Sequence, residues 1–199
     1  MLITGIKSRP VYHLLAPDLS GRYHLLVAQG SGGAAVLRLL DAMPSQADVH
    51  VLYAQESFSG RDDSAALRAW GQVDLQVFAT QAQAIAALNQ SLAGCVMGTR
   101  LYIAGSESFI GSAVLVAMNY NLNADEVQRE HCGSSARRVY CIHCNSVNEN
   151  VTTNIVKCLG CGRHLLIRDH YSRRLGAYMG VMADAEPPGE LPPIVEAFA

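Results

Sequence analysis

Short hydrophobic stretches alternate with amphipathic segments over the first two thirds of the chain. Four of the stretches have the length of a strand, and a segment of helical composition follows each one. The predicted strands are residues 23–28, 49–54, 73–78 and 101–104, and the predicted helices are 34–40, 64–70, 81–92 and 109–119, the last with Ser108 as its N-cap. Because strands that alternate with helices build parallel sheets, the pattern predicts an α/β domain with a parallel sheet flanked by helices.

The pattern changes near residue 133. Residues 133–138 have the composition of a linker, and a segment with four cysteines follows. Tyr171 and Tyr178 are seven positions apart, a spacing that places both on one face of a helix. Four prolines after residue 185 favour an extended tail, either packed or disordered. The sequence therefore predicts a first domain, 1–132, and a metal module, 133–199, that ends in a C-terminal helix and an extended tail.

Composition limits the classes of function. The chain has 199 residues, is 50% hydrophobic and carries a formal net charge of −2, so it can bury a core but lacks the basic excess of a nucleic-acid binder. It has no apolar run of about 18 residues, which predicts no membrane-spanning helix and no membrane partner. Residues 1–7 do not resemble a secretory signal, so a cytoplasmic location is expected.

The spacing of the cysteines is the most specific signal in the chain. Cys141 and Cys144 form one C-x-x-C pair, Cys158 and Cys161 form another, and thirteen residues separate the pairs. Two intervening residues let both thiolates of a pair reach one ion, and two such knuckles complete a tetrahedron, as in zinc ribbons. Gly162, directly after the last cysteine, suits a turn that requires positive φ. The sequence thus predicts a four-cysteine metal site in a zinc-ribbon-like or rubredoxin-like module.

The identity of the metal is open between two choices. A closed site of four thiolates fits structural Zn²⁺ or a single iron of the rubredoxin type. The first knuckle is followed by Asn145, where rubredoxins commonly have glycine, and this favours zinc. His143 and His164 lie close enough in sequence to be alternative ligands. The two remaining cysteines, Cys95 and Cys132, are interpreted as small buried hydrophobic residues.

Two loops follow predicted strands and have a composition suited to a ligand. Ligands of parallel sheets bind outside the carboxyl ends of the strands. Glycines there let the backbone approach a phosphate, and the next helix offers free N–H groups. The candidate nucleotide-binding residues after the first and fourth strands are Gly30, Ser31, Gly32, Gly105, Ser106 and Glu107.

Residues 23–131 resemble the nucleotide domain of the ferredoxin–NADP⁺ reductase family. The likeness rests on residues 25–32, with their glycine loop, on the strand at 49–54, and on LYIAGSESF at 101–109, where the family has its CGPxxF loop. The resemblance implies binding of NAD(P)H and a last strand within residues 123–130.

The chain departs from that family at positions that touch the nucleotide. Ala104 and Ser106 replace the loop cysteine and proline, and Glu56 stands where an arginine often meets the NADP 2′-phosphate. A carboxylate there would repel a phosphate. A nucleotide fold kept for assembly is therefore an alternative to one that binds NAD(P)H.

Taken over nearly its full length, the chain resembles the small subunit of bacterial dimethylamine monooxygenase. The likeness includes residues 138–144, the second knuckle and residues 169–181. It implies a multicomponent enzyme that uses NADPH and O₂ to convert dimethylamine to methylamine and formaldehyde, with haem and flavin/iron–sulfur groups on partner subunits. This chain would be a non-catalytic subunit that supports assembly or electron transfer. The alternatives are a rubredoxin-like electron carrier with a nucleotide domain, and a non-redox binding module of another complex.

Overall fold

The protein is described here from a computed structural model that covers residues 8–71 and 73–198. The chain divides into two compact units. Residues 12–133 form one, and residues 134–198 form the other together with residues 8–11. Residues 1–7, on which the expectation about a secretory signal rested, lie outside the described residues. In the part of the chain that is described, no helix is long and apolar enough to cross a bilayer.

The first unit is a five-stranded parallel sheet with helices between its strands. In chain order its elements are β1 (Tyr23–Gln29), α1 (Gly32–Ala42), β2 (Asp48–Ala54), α2 (Ser64–Trp70), β3 (Asp74–Phe78), α3 (Gln81–Ala93), β4 (Thr99–Gly105), α4 (Glu107–Asn119) and β5 (Val127–His131). The strand order is β3-β2-β1-β4-β5, and every neighbouring pair is parallel. The predicted α/β class is confirmed, and β5 lies where the family resemblance placed a last strand.

Each face of the sheet buries its own hydrophobic core. Successive side chains of a strand point to opposite faces, so Leu26 and Ala28 of β1 pack with α1. Leu25 and Val27 pack on the other side, with α3 and α4. Strands that are buried on both faces have nearly continuous hydrophobic sequences, and for this reason they could be predicted from the sequence.

One predicted helix cap is wrong by two residues. Helix α4 starts at Glu107, and its N-cap is Ser106, whose Oγ accepts a hydrogen bond from the Phe109 N–H at 3.3 Å. Ser108 lies inside the helix and is buried. The earlier start of α4 therefore places Ser106 at the carboxyl end of β4, where the strand turns into the helix.

The second unit is a five-stranded mixed sheet. Its strands are β6 (Arg137–Cys141), β7 (Val147–Val151), β8 (Ile155–Lys157), β9 (His164–Ser172) and β10 (Ala177–Met182), in the order β7-β6-β10-β9-β8. Only β6 and β10 are parallel neighbours. The segment interpreted as a linker ends inside β6, because Arg137 and Arg138 belong to that strand.

The predicted C-terminal helix is not formed. The segment that contains the two tyrosines is a hairpin of β9 and β10, in which Tyr171 and Tyr178 are cross-strand partners with ring centroids 5.1 Å apart. Leu165, Ile167 and Tyr171 of β9 alternate on the buried side of the strand. A spacing of seven fitted one helical face, but the alternation of period two decides the structure.

The tail of the second unit is packed. Val195 donates its N–H to Asn154 Oδ1 at 2.8 Å, and Asn154 donates its side-chain N–H to the Pro193 carbonyl at 3.0 Å. Thr153 and Glu196 form an antiparallel bridge. Of the two possibilities for the tail, the structure thus has the packed extended arm.

A buried histidine in the first unit makes its stability dependent on pH. His24 is 4% exposed, and its Nδ1 lies 3.2 Å from the Tyr102 hydroxyl. Burial lowers the pKa of His24 below its usual value of 6.5, with the charge of Arg100 lowering it further and that of Asp18 opposing the shift. The unfolded state therefore binds the proton more readily, and stability present above about pH 6.5 is lost as the pH falls through the folded pKa.

We expect the free energy of unfolding of the first unit to drop between about pH 7.5 and pH 5.5, and H24Q to flatten this drop. Urea titrations across this range, performed on both proteins, measure the difference. A difference in the free energy of unfolding between wild type and H24Q that does not change with pH would contradict the assignment of this pH dependence to His24. Asp18, which also has a lowered pKa, titrates below this window and leaves the comparison intact.

Candidate metal centre

The four cysteines of the two knuckles converge in the second unit. Cys141 is the last residue of β6, and Cys158 directly follows β8. Because both strands belong to the same sheet, the turns that follow them come together although they are separated in sequence. In each knuckle a backbone N–H closes the turn on the first cysteine: Asn145 donates to the Cys141 carbonyl at 3.0 Å, and Gly162 to the Cys158 carbonyl at 2.9 Å. The two knuckles have the same backbone hydrogen bond.

The sulfur atoms have the spacing of ligands to one ion. All four lie within 4.8 Å of one another. The Sγ atoms of Cys141 and Cys161 are 3.8 Å apart, and those of Cys144 and Cys158 are 3.6 Å apart. A tetrahedron of metal–sulfur bonds of about 2.3 Å has edges of about 3.8 Å. The donor set therefore fits a single Zn²⁺ or iron ion, and none of these cysteines needs to move far to bind one.

Two side chains contact the sulfurs, and a glycine allows the second knuckle to approach the first. Asn148 is 1% exposed and reaches the Cys158 Sγ with its Nδ2 at 3.8 Å. Ser146 Oγ lies 3.3 Å from the Cys144 Sγ. Gly160 has no room for a side chain, because a Cβ there would lie 2.0 Å from the Ser146 Oγ. The second knuckle thus closes directly over residues of the first.

The thiols differ in how readily they ionise. Burial raises the pKa of Cys141 to about 11. Burial also opposes ionisation of Cys158, but the backbone N–H groups of Cys161 and Gly160 outweigh it and lower the pKa of Cys158 to about 6. Backbone and side-chain hydrogen bonds from Arg163 lower the pKa of Cys161. The second knuckle is therefore the part of the site that most readily supplies thiolates, the form that metals bind.

Other predictions around the cysteines have mixed outcomes. Neither His143 nor His164 belongs to the cluster found among the described residues. Gly162 has φ of 75°, and Asn145 occupies the equivalent position with φ of 64°. Asparagine tolerates this left-handed conformation, so the missing glycine leaves the backbone of the knuckle unchanged and does not separate zinc from iron.

The two cysteines outside the knuckles have different environments. Cys95 is exposed, so the interpretation of it as a buried hydrophobic residue is wrong. Cys132 packs against the core of the first unit, and burial raises the pKa of its thiol to about 11. Neither belongs to the cysteine cluster.

The glycine loops lie at the carboxyl ends of β1 and β4, as predicted from the alternation of strands and helices. Gly30 has φ of 50°, and its carbonyl accepts a hydrogen bond from the Tyr53 hydroxyl at 2.9 Å. A Cβ on Gly32 would lie 2.3 Å from the Ala104 carbonyl oxygen, and one on Gly30 would lie 2.5 Å from the Ser57 Cβ. Close packing of helix, strand and loop thus requires both glycines.

Polar side chains at this edge are engaged with one another. Ser106 donates to the Gln29 Oε1 at 2.8 Å, and both side chains are buried. Tyr12 donates to the Glu107 Oε1 at 3.2 Å. Glu56 accepts the N–H of Gln81, the first residue of α3, at 2.8 Å. The edge therefore carries two carboxylates beside the glycine loops, and their negative charge disfavours a phosphate there.

Two family models match the chain on either side of residue 133. Residues 4–127 match the N-terminal domain of the dimethylamine monooxygenase subunit DmmA-like family, and residues 138–181 match its C-terminal domain. The chain belongs to the DmmA-like family. The second match of this DmmA-like chain includes all four knuckle cysteines, and the first includes both glycine loops.

A curated relative and several solved structures are similar to this DmmA-like chain. It is 36% identical over 101 residues to the heme-dependent oxidative N-demethylase delta subunit of Ectopseudomonas mendocina (strain ymp), a match that covers 51% of this chain and 58% of the relative. The chain therefore spans a little over half of that relative's length.

Among solved structures, an intact type IV self-sufficient cytochrome P450 monooxygenase is 19% identical, with a TM-score of 0.46 and coverage of 63% of this chain and 18% of its own. Phthalate dioxygenase reductase is 13% identical, with a TM-score of 0.44 and coverage of 68% and 46%. The ferredoxin reductase in carbazole 1,9a-dioxygenase is 17% identical, with a TM-score of 0.42 and coverage of 56% and 33%.

Two residues of the second unit were not singled out from the sequence. Asn148 contacts a metal-site sulfur, and Arg137 is buried between aromatic rings. Asn148 lies four residues after Cys144, within the segment that joins the knuckles, and this proximity was the available signal. Arg137 gave no signal, because a buried arginine and a linker arginine look the same in one sequence.

Proposed function

We propose that the chain is an accessory subunit of a cytoplasmic, haem-dependent monooxygenase that removes a methyl group from dimethylamine. The observation that carries the proposal is membership of the DmmA-like family over both parts of the chain. Similarity to the delta subunit of a heme-dependent oxidative N-demethylase supports the same reaction class. In the net reaction, dimethylamine, O₂, NADPH and a proton give methylamine, formaldehyde, water and NADP⁺.

The role we assign to the chain is assembly and support of electron transfer. Haem and flavin/iron–sulfur groups would belong to partner subunits, and this chain would contribute no catalytic residue. Purification of a tagged chain from its own organism tests the role. We expect haem and flavin absorption in the eluate, together with O₂ uptake that requires both NADPH and dimethylamine. A chain that elutes alone, and whose deletion leaves dimethylamine-dependent O₂ uptake intact, would contradict the proposal.

Within this role we assign Zn²⁺ to Cys141, Cys144, Cys158 and Cys161. A zinc ion held by four thiolates has no redox chemistry and contributes directly to folding. The small core of the second unit supports this assignment, because units below about 70–80 residues commonly contain a disulfide or a structural metal. The expected measurement is one equivalent of zinc in a colourless protein.

A second candidate function, a rubredoxin-like electron carrier, is favoured by the accessibility of the site. Cys144 and Cys161 are only partly buried, so an ion held there would lie near the surface. Iron in this site could carry one electron. One equivalent of iron with a thiolate charge-transfer band in the visible spectrum would establish this candidate and place the chain on the electron path.

For the glycine loops we propose a scaffold role, with at most weak binding of NAD(P)H at Gly30, Ser31, Gly32, Gly105, Ser106 and Glu107. The carboxylates of Glu56 and Glu107 support this, since both lie at the edge where the phosphates would bind. We expect a calorimetric titration of the isolated chain with NADPH to show no saturable binding below about 1 mM, which corresponds to about −4 kcal/mol. A dissociation constant in the micromolar range would instead establish a working nucleotide site.

A further inference from the structure

Asn148 is a buried polar residue that links the two halves of the cysteine site. Its Oδ1 accepts the Leu159 N–H at 2.9 Å, and its Nδ2 lies 3.4 Å from the Val139 carbonyl and 3.8 Å from the Cys158 Sγ. Leu159 belongs to the second knuckle, and Val139 belongs to β6, which leads into the first. One carboxamide therefore joins the second knuckle to the strand that leads into the first, and it also contacts one of the four sulfurs.

We propose that Asn148 is a positioning residue that sets the affinity of the four-cysteine site for its metal. The carboxamide holds the turn that carries Cys158 through the Leu159 N–H. It also donates toward the Cys158 sulfur, and a hydrogen bond to a thiolate stabilises the charged form that binds metal. Outer residues that orient and hydrogen-bond metal ligands change metal affinity by about 10–100-fold when they are replaced. Asn148 fits that role because both of its polar atoms are used.

The geometry distinguishes this residue from the other contacts of the sulfurs. Backbone N–H groups reach the sulfurs in any C-x-x-C knuckle, and only substitution by proline, which also constrains the backbone, would remove them. Ser146 lies beside Cys144 but contacts it from a position that is half exposed. Asn148 is 1% exposed, so its donor group is shielded from solvent, and the low local dielectric strengthens its interaction with the thiolate.

The test uses the full chain and the variant N148D. This change keeps the shape and the acceptor for Leu159, but it removes the N–H donors and places a carboxylate beside a thiolate. We expect the dissociation constants for Zn²⁺ and Co²⁺, measured by competition with a chromophoric chelator, to rise at least 10-fold. We also expect the thiolate-to-cobalt charge-transfer band to shift, since the hydrogen bond to the Cys158 sulfur is lost.

Asn154 offers a matched control in the same unit. Its Nδ2 donates to the Pro193 carbonyl at 3.0 Å and its Oδ1 accepts the Val195 N–H at 2.8 Å, so it resembles Asn148 in its bonds but contacts no sulfur. N154D should loosen the tail and leave the metal affinity and the cobalt spectrum within twofold of wild type. A purely structural role of Asn148 would make N148D behave like N154D.

The outcomes separate this inference from the proposed metal site on which it rests. Failure of the wild-type chain to bind Co²⁺ would remove the metal site itself. Tight binding by both wild type and N148D, with an unmoved cobalt band, would overturn the role of Asn148 alone. If N148D does not fold with saturating Co²⁺, N148S is measured in the same way. Failure of both to fold, while N154D folds, would assign Asn148 to the scaffold and overturn the inference.

Discussion

Replacement of Cys158 by serine is expected to abolish tight metal binding and to unfold the second unit. Cys158 is buried, and hydrogen bonds from the backbone N–H groups of Cys161 and Gly160 lower its pKa to about 6 in spite of the burial, so this ligand readily supplies a thiolate. A structural zinc site of this kind contributes about 10–16 kcal/mol of apparent binding free energy. The buried core cluster of the second unit has eight residues, and two of these are the ligand cysteines Cys141 and Cys158. Without the metal we expect this core to be too small to hold the strands together, since a single core in a unit below about 70–80 residues contributes little net stability.

The first unit should survive the same substitution. Its two cores, one on each face of the parallel sheet, contain none of the four ligand cysteines. In an amide NMR spectrum of C158S we expect well-dispersed signals for residues 12–133 and the poorly dispersed signals of an unfolded chain for residues 134–198. Removal of the metal from wild type with a strong chelator should reproduce this pattern.

C95S is the matched control for C158S, because Cys95 is an exposed thiol outside the cluster. It should retain one equivalent of metal and the unfolding transition of wild type. A C158S protein that retains the metal and a folded second unit would contradict the proposed site. Such an outcome would also make the close approach of the four sulfurs a consequence of folding and not of metal binding.

The parallel sheet could be predicted because its information is local. Residues 25–28, 51–54 and 101–104 are continuous hydrophobic runs of strand length, and a helix follows each one along the chain. The cysteine pairs could be predicted for the same reason, since the chemistry of a knuckle lies within four residues. The role of Asn148 could not be predicted in this way. Its hydrogen bonds join β6, through Val139, to the second knuckle, through Leu159, and this contact forms only in the folded unit.

The hairpin of the second unit was missed because a charge interrupts its pattern. Leu165, Ile167 and Tyr171 alternate as in a half-buried strand, but Asp169 occupies the position between the last two. A carboxylate at this position breaks the alternation that a half-buried strand shows in its sequence. The structure accounts for it through Arg137, which lies 32 residues earlier and donates to Asp169 Oδ1 at 2.8 Å. A partner at that distance cannot be read from one sequence.

That ion pair carries the second large expected effect. The guanidinium of Arg137 is buried, with its Cζ 3.9 Å from the ring centroid of Tyr178 and 3.8 Å from that of Phe198. Asp169 is its charged partner, and Nη1 of Arg137 has no hydrogen-bond partner among the described residues. Removal of one member of a buried pair leaves an uncompensated charge, which destabilises proteins by about 3–5 kcal/mol. Because Asp169 is partly exposed, we expect D169A to destabilise the metal-loaded second unit by about 2–4 kcal/mol.

R137M is expected to be milder than D169A, although it removes the same ion pair. Methionine fills much of the space between Tyr178 and Phe198 and buries no charge, while Asp169 keeps its second partner, Arg9. R9A removes that exposed partner and should change stability by less than about 0.5 kcal/mol. Urea unfolding of the three zinc-loaded variants measures the order. If R9A proves as destabilising as D169A, the stabilising ion pair is the exposed one between Arg9 and Asp169. The buried guanidinium of Arg137 would then not be the group that holds β6 to β9 and to the tail.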